Sequence, residues 1–186
     1  MTDGPVAVRR PVRADARRNF DALLVAAREA FAVNGTGASL EEIARRAGVG
    51  IGTLYRNFPS RQDLFEAVYV DEVGQLGEVA QAVSELPPWE ALSAWLDRFT
   101  GYVVTKRAVV EALNRESQIF RSCREMIYSA GEPLFRRAQE AGEVRADASF
   151  DDLLRMVSGL FSAAFVDAEQ RDRVLGFALS GLRPPG

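Results

Sequence analysis

The most constraining feature of the sequence is the stretch of residues 39–61, which reads SLEEIARRAGVGIGTLYRNFPSR. Ser39 is followed three residues later by Glu42, which is the spacing of a capping box that starts a helix. Gly48 stands where a helix C-terminus favours a left-handed residue, and Pro59 ends a second short helix. Two short helices joined by a tight turn are the layout of a helix-turn-helix, whose second helix enters the major groove of DNA.

Longer helices are predicted on both sides of this stretch. The first runs from Asp15 to Asn34, and its apolar residues recur at i, i+3, i+4, i+7 and i+11 on one face. These residues are Phe20, Leu23, Leu24, Ala27 and Phe31. Ser60 and Asp63 form a second capping pattern, which starts a fourth helix. We therefore expect a three-helix helix-turn-helix DNA-binding domain at residues 15–62, with the fourth helix, residues 60–83, linking it to a body at residues 73–186.

The second short helix of the motif has an open face. Leu54 and Phe58 are four residues apart, so both are expected to face the core. The residues left on or near the open face are Ile51, Gly52, Thr53, Tyr55, Arg56 and Asn57. Among them, Tyr55 can contact a phosphate, and Arg56 can contact a guanine edge or a phosphate. This composition favours contact with DNA.

Charge is divided unevenly along the chain. Residues 1–62 hold 10 arginines and 6 acidic residues, whereas residues 63–186 hold 13 basic and 20 acidic residues. A basic end on an acidic body suits a polyanionic partner at that end. Residues 1–14 are interpreted as a flexible basic arm, because Pro5 and Pro11 oppose helix formation. The arginines expected to contact phosphates or the adjacent minor groove are Arg9, Arg10, Arg13, Arg17 and Arg18. The alternative is a solvated tail.

Several classes of site are excluded by composition. The chain has no histidine and one cysteine, Cys123, so a Ser-His-Asp triad, a Cys-His pair, a zinc site and an internal disulfide are all excluded. The glycines at 48, 50 and 52 follow a helix instead of a strand, which does not fit a phosphate-binding loop. We expect no metal and no cofactor. No apolar run of 18 residues and no signal peptide is seen, so we expect a cytoplasmic protein without membrane contact.

The body is predicted to be a bundle of helices. The expected helices are Trp89–Arg107, a short one near Val109–Arg115, Gln118–Ala141, Phe150–Asp167 and Gln170–Leu182. Pro133 lies inside the third of these and is expected to kink it or to split it after Ala130. Ser149 and Asp152 have the spacing of a capping box.

Two groups of apolar residues in the body suggest functions beyond packing. The last two helices have more apolar surface than one core needs, which favours a dimer interface containing Leu153, Val157, Leu160, Phe161, Ala164, Leu175 and Leu179. A pocket for a small molecule is expected to be lined by Trp95, Phe99, Tyr102, Phe120, Met126, Tyr128 and Phe161. For both groups the alternative is ordinary core packing.

About residues 15–72 resemble the DNA-binding domain of the TetR family of bacterial transcriptional regulators. The resemblance rests on Phe31, Gly35, Ser39, Ile43, Ala44, Ala47-Gly48-Val49, Gly52-Thr53-Leu54-Tyr55, Phe58, Ser60-Arg61 and Leu64-Phe65. The chain departs from the usual pattern at Gly50, where the family usually has serine, and at Asn57, where histidine is frequent. Arg61 stands where lysine is common.

The resemblance implies an all-α homodimer that binds a palindromic operator in double-stranded DNA, most often as a repressor. It also implies a C-terminal helical bundle that binds an unidentified small-molecule effector and forms the dimer. Carried over by position, the implied phosphate contacts are Ser39, Tyr55 and Arg61, with Arg45. The implied base-facing residues are Ile51, Gly52, Thr53 and Arg56.

Three other functions remain open at this point. The protein could be an activator, or a regulator without a small ligand whose body binds a protein. It could be a helical enzyme, which the missing histidine and the lack of paired carboxylates argue against. It could also bind DNA without sequence preference, which its net charge of −3 disfavours because nonspecific affinity depends on positive charge.

Overall fold

The computed structural model describes residues 10–109, 118–161 and 165–184, and the chain forms two compact units. The first unit contains residues 1–74 and 104–126, and the second contains residues 75–103 and 127–186. The α-helices are α1 (Ala14–Asn34), α2 (Leu40–Arg46), α3 (Ile51–Asn57), α4 (Arg61–Ala82), α5 (Pro88–Val109), α6 (Gln118–Glu140), α7 (Phe150–Leu160) and α8 (Ala168–Ser180). A 3-10 turn covers Gly35–Gly37. The all-α prediction is confirmed, since no strand occurs in the described parts of the chain.

Aromatic residues hold α1 against the later helices of the first unit. The predicted apolar face of α1 is buried, from Phe20 to Phe31. Phe20 packs on Phe58 with ring centroids 4.8 Å apart, and Phe31 packs on Phe65 at 4.5 Å. These contacts make α1 the support on which α2, α3 and the start of α4 are assembled.

Helix α2 begins and ends at the residues expected from the sequence. The Ser39 hydroxyl accepts a hydrogen bond from the Glu42 N–H at 3.2 Å, but the Glu42 carboxylate does not return to cap Ser39, because it binds two arginines of its own helix instead. Gly48 has φ +70°, and Val49 N–H donates to Ala44 O at 3.0 Å, which is the 6→1 bond of a Schellman motif. The tight turn before α3 is therefore fixed by backbone hydrogen bonds.

Helix α6 continues through Pro133 as one helix, so the expected split is wrong. Proline removes one backbone hydrogen bond, but the residues around it are held by packing. Leu134, Phe135 and Ala138 are buried after the proline. Before it, Gly131 lies so close to Trp95 that an added Cβ would be 2.5 Å from the ring. These contacts on both sides stabilise the continuous helix.

The boundary between α7 and α8 differs from the prediction. The sequence pattern extended the first of these helices to Asp167, but α7 ends at Leu160. Asp167 has extended backbone angles, and its carboxylate accepts a 2.7 Å hydrogen bond from Gln170 N–H, so it is the N-cap of α8. The capping box of Ser149 and Asp152 at the start of α7 is confirmed. The short helix expected near Val109–Arg115 lies, apart from Val109, outside the described residues.

Candidate nucleic-acid interface

Helix α3 presents one continuous exposed face. Leu54 is 0% exposed and Phe58 is 2% exposed, as predicted, and they fix the opposite side of the helix against the core of the first unit. The exposed residues of α3 are Ile51, Gly52, Tyr55 and Arg56. Two pairs four residues apart, 51 with 55 and 52 with 56, lie along the same side of a helix. Hydrophobic, backbone, phenolic and cationic groups are thus placed together on that side.

Thr53 and Asn57, the other two polar residues predicted on α3, are half-buried and form hydrogen bonds within the helix. Arg56 donates from Nη2 to Thr53 Oγ1 at 2.8 Å, so the hydroxyl orients the guanidinium. Asn57 donates from Nδ2 to Thr53 O at 2.8 Å. The Asn57 amide therefore binds a backbone carbonyl of α3, and a contact between this side chain and DNA would come in addition to that bond.

Helix α2 adds exposed polar groups beside the turn. Ser39 and Arg45 are exposed, and Ser39 Oγ donates to Glu41 at 3.0 Å. Arg45 binds the Glu42 carboxylate through both Nε and Nη2 at 2.8 Å, and Arg46 Nε binds it at 2.8 Å. Hydrogen bonds from these two arginines lower the pKa of Glu42 to about 2. The carboxylate is therefore ionised at any pH near neutrality.

Arg61 has a structural partner that the sequence did not reveal. Its Nη1 donates to Ala38 O at 2.6 Å and to Thr36 O at 3.1 Å. These carbonyls belong to the connection between α1 and α2, so the side chain joins the start of α4 to that connection. Ser60 and Asp63 form the predicted reciprocal capping bonds next to it.

The basic arm is only partly as predicted. Arg10 Nε binds Asp21 at 2.9 Å and its Nη2 binds Asp71 at 2.5 Å, so Arg10 is paired within the first unit instead of extending from it. Arg18 pairs with Asp15, and Arg17 lies 4.0 Å from Asp21. Arg13 is exposed as the N-cap residue of α1. Arg9 lies outside the described residues.

A buried ionic group on α4 was not predicted from the sequence. Asp71 is 7% exposed and Glu72 is 1% exposed. Arg28 of α1 binds Asp71 at 2.8 Å and also contacts the Glu72 carboxylate. Two adjacent carboxylates inside the apolar run of α4 indicate such a group, because buried charges require partners of opposite sign. Together with Arg10, this group connects α1 to the middle of α4.

The residues predicted to line a pocket are mostly aromatic core. In the second unit Trp95 stacks on Phe99 at 5.3 Å, and its indole N–H donates to Leu76 O at 3.1 Å. Phe99 packs on Tyr102 at 5.5 Å. Tyr128 donates its hydroxyl to Asp151 and is half-buried, and Phe161 is buried.

Two of the pocket candidates lie in the first unit. Phe120 stacks on Tyr69 at 5.0 Å, with Lys106 Nζ 5.3 Å from its ring centroid, and Met126 is half-buried. Cys123 is buried in the same unit, and burial raises its pKa to about 12, which makes it a poor thiolate.

The predicted dimer residues fall into two groups. Leu153, Val157 and Phe161 are buried, so they serve as core of the second unit. Half-buried residues are Leu160, Leu175 and Leu179. Phe177 on α8 was not among the candidates, yet its side chain is 71% exposed. Ala164 lies outside the described residues.

Among the residues that the structure describes, no group of three or more Cys, Asp or Glu side chains is placed to hold a metal ion. None of the described helices is both long and apolar enough to cross a membrane.

A helix-turn-helix with an exposed second helix, followed by a separate helical unit, defines a class of DNA-binding regulators. Residues 23–68 match the family model described as bacterial regulatory proteins of the tetR family. Residues 87–184 match the C-terminal domain described as transcriptional regulator SbtR-like.

Solved structures agree with these family matches. A TetR transcriptional regulator from Streptomyces coelicolor is 40% identical, with a TM-score of 0.76 over 89% of this chain and 99% of that chain. A TetR regulatory protein from Mycobacterium vanbaalenii is 32% identical, with a TM-score of 0.71 over 94% of this chain and 100% of that chain. A ketosteroid transcriptional regulator of Mycobacterium tuberculosis, 19% identical over 97% of this chain and 100% of that chain at a TM-score of 0.61, shares the fold. The chain belongs to the TetR family, and it is a DNA-binding transcriptional regulator, not an enzyme.

Proposed function

We propose that the protein is a cytoplasmic homodimeric repressor that binds a palindromic operator through α3 and is released by a small-molecule effector. The observation that carries this proposal is the exposed face of α3, because the burial of Leu54 and Phe58 leaves its side chains and the Gly52 backbone open to a partner. A helix of this kind reads the base edges of the major groove.

The contacts with DNA are divided between bases and phosphates. In this proposal the base-facing residues are Ile51, Gly52, Thr53 and Arg56. The phosphate contacts are Ser39, Tyr55 and Arg61, with Arg45 and Asn57. Arg61 Nη1 already binds two main-chain carbonyls, so its contact with a phosphate uses the remaining donors of a guanidinium that carries five N–H groups. Arg9, Arg13, Arg17 and Arg18 contribute nonspecific attraction to the phosphates.

Dimerisation sets the spacing of the two α3 helices. Successive major grooves on one side of B-DNA are about 34–36 Å apart, so a dimer must present its recognition helices at that distance or a multiple of it. We place the dimer interface on α7 and α8, where Leu160, Leu175 and Leu179 are half-buried and Phe177 is exposed. An aromatic side chain this exposed is typical of a protein–protein contact.

Release by an effector follows from linkage. A small molecule that binds the C-terminal helices better in one conformation of the dimer lowers operator affinity, with a coupling of about 1–3 kcal/mol. The aromatic residues around Trp95 and Tyr128, or those around Phe120 and Met126, supply the apolar lining that such a ligand needs.

The test is selection of bound duplexes from a random DNA pool, followed by titration of the winner at two salt concentrations. We expect a palindromic sequence that is bound by the wild type and lost by Tyr55→Ala. A set of small molecules is then screened for release of the operator. Absence of enrichment at low salt contradicts DNA recognition by α3, and specific binding that no ligand changes supports a regulator without an effector.

A further inference from the structure

One carboxylate on α2 binds both arginines of the same helix. Glu42 accepts two hydrogen bonds from Arg45 and one from Arg46, all at 2.8 Å. The side chains of the arginines remain 75% and 43% exposed, respectively. Both arginines are therefore at the surface, next to the turn that precedes α3, with part of their charge neutralised by a neighbour.

The geometry of this contact resembles that of a phosphate contact. A guanidinium binds a carboxylate or a phosphate through the same pair of parallel N–H groups. Arg45 already uses this pair, Nε and Nη2, on Glu42. A DNA phosphate that binds Arg45 through this pair must therefore replace the carboxylate, and a phosphate at the remaining N–H groups is repelled by the carboxylate charge.

Glu42 stands three residues after the N-cap of α2, where a glutamate of a capping box is expected. Three residues after an N-cap serine, a glutamate usually turns back to the N-cap N–H as half of a capping box. Ser60 and Asp63, and Ser149 and Asp152, form that reciprocal pair in this protein. Glu42 does not, and its carboxylate contacts arginines instead. Capping of α2 therefore does not explain why a glutamate occurs at position 42.

Resting on the function proposed above, we propose that Glu42 is a specificity-determining residue that lowers nonspecific DNA affinity by occupying Arg45 and Arg46. Nonspecific binding depends almost entirely on phosphate contacts. The Glu42 carboxylate, which binds the same arginines, weakens their attraction to the phosphates of every duplex. On the operator, the base contacts of α3 hold α2 in one position on the backbone, where Arg45 and Arg46 reach phosphates through the N–H groups that Glu42 does not occupy, so the carboxylate costs less affinity there than on other duplexes. The ratio of operator affinity to nonspecific affinity is thereby raised.

The experiment titrates the full-length protein against its selected operator and a scrambled duplex over a salt series. The variant is Glu42→Gln. The control is Glu29→Gln, which makes the same change of charge at an exposed residue of α1. We expect Glu42→Gln to bind the scrambled duplex about five- to tenfold more tightly at about 0.1 M salt, with a salt slope steeper by about 0.9 for each arginine freed. Its affinity for the operator should rise less.

A double variant checks the assignment to the arginines. Glu42→Gln combined with Arg45→Gln restores the wild-type net charge of α2, and the gain on the scrambled duplex should fall by at least half. If Glu42→Gln is unstable, Glu42→Ala removes the same charge with a better helix former and replaces it in the comparison.

The proposal is overturned if Glu42→Gln binds the scrambled duplex no better than Glu29→Gln, or if it binds every duplex more weakly, which would mean that Glu42 orients the arginines for DNA. These results differ from failure of the proposed function, in which the wild type itself does not distinguish the two duplexes.

Discussion

At the scale of single residues, Gly131 lies in a tightly packed part of the second unit. A Cβ added there would lie 2.5 Å from the Phe150 ring and 2.5 Å from the Trp95 ring. Trp95 has little room to move, because it is fully buried, hydrogen-bonded to Leu76 O and packed on Phe99. Phe150 is buried and packs on Trp95, Tyr128 and Phe135. Glycine at this position allows α6 to approach the aromatic core directly.

We therefore predict that Gly131→Ala destabilises the protein, although alanine is the better helix former. Overpacking costs about 1–3 kcal/mol, and the gain in helix propensity returns up to about 1 kcal/mol. The measurement is the midpoint of urea denaturation. Gly77→Ala is the matched control, since a Cβ at position 77 meets nothing within 4 Å, and it should leave the midpoint unchanged or raise it. Equal midpoints for the two variants would mean that the rings can move aside.

At the scale of secondary-structure elements, caps determine where helices begin. Ser149 accepts a hydrogen bond from Asp152 N–H at 3.1 Å, and the Asp152 carboxylate accepts one from Ser149 N–H at 3.0 Å. These bonds satisfy two backbone groups that a helix start leaves without partners. The Ser149 hydroxyl also donates to the Asp152 carboxylate at 2.6 Å, and this hydrogen bond lowers the pKa of Asp152, in keeping with a carboxylate that stays ionised at the helix N-terminus.

The expected result for Ser149→Ala is a loss of about 1 kcal/mol in the free energy of unfolding, because the Asp152 N–H loses its acceptor. Denaturant titration at neutral pH measures it. Ser158→Ala provides the comparison within α7, since Ser158 is exposed in the last turn of the helix, away from the cap, and alanine there should cost nothing. If both variants lose the same amount, the cap is not the cause.

The sequence was sufficient to predict the elements whose signals are local. Periodicity identified the buried face of α1, and Gly48 and Ser149 marked a helix end and a helix start that the structure confirms. The end of α7 was missed because apolar residues continue beyond Leu160, whereas the deciding contact is the Asp167 cap on the next helix. Packing on both sides of Pro133 could not be inferred from spacing alone.

The candidate site was predictable to a similar extent. The exposed face of α3 follows from helical spacing, which is local. The partners of Arg10, Arg61 and Arg28 are distant in sequence, at Asp71, Ala38 and Glu72 among others. Such contacts depend on how helices pack, so arginines that appeared free in the sequence proved to be paired within the first unit.

At the scale of the whole molecule, the chain has a first unit that contains the helix-turn-helix and a second unit made of helices. The helix α4 belongs to both units, since it runs from Arg61 to Ala82 and the units divide at residue 74. Buried charges on α4 pair with α1 within the first unit, which connects the position of α4 to the support of the helix-turn-helix.

Titration of the selected operator and of a scrambled duplex with the wild type and with Arg56→Ala tests whether α3 reads the operator sequence. We predict that the wild type prefers the operator by about 10³ or more. Arg56→Ala should lower that preference by about 1–3 kcal/mol. Tyr55→Phe should weaken binding to both duplexes alike. Arg136→Ala, which removes the same charge from α6, should change the affinity for neither duplex. An unchanged preference in Arg56→Ala would contradict the assignment of Arg56 to a base edge, and equal wild-type affinity for both duplexes would contradict the account of α3 as a reading helix.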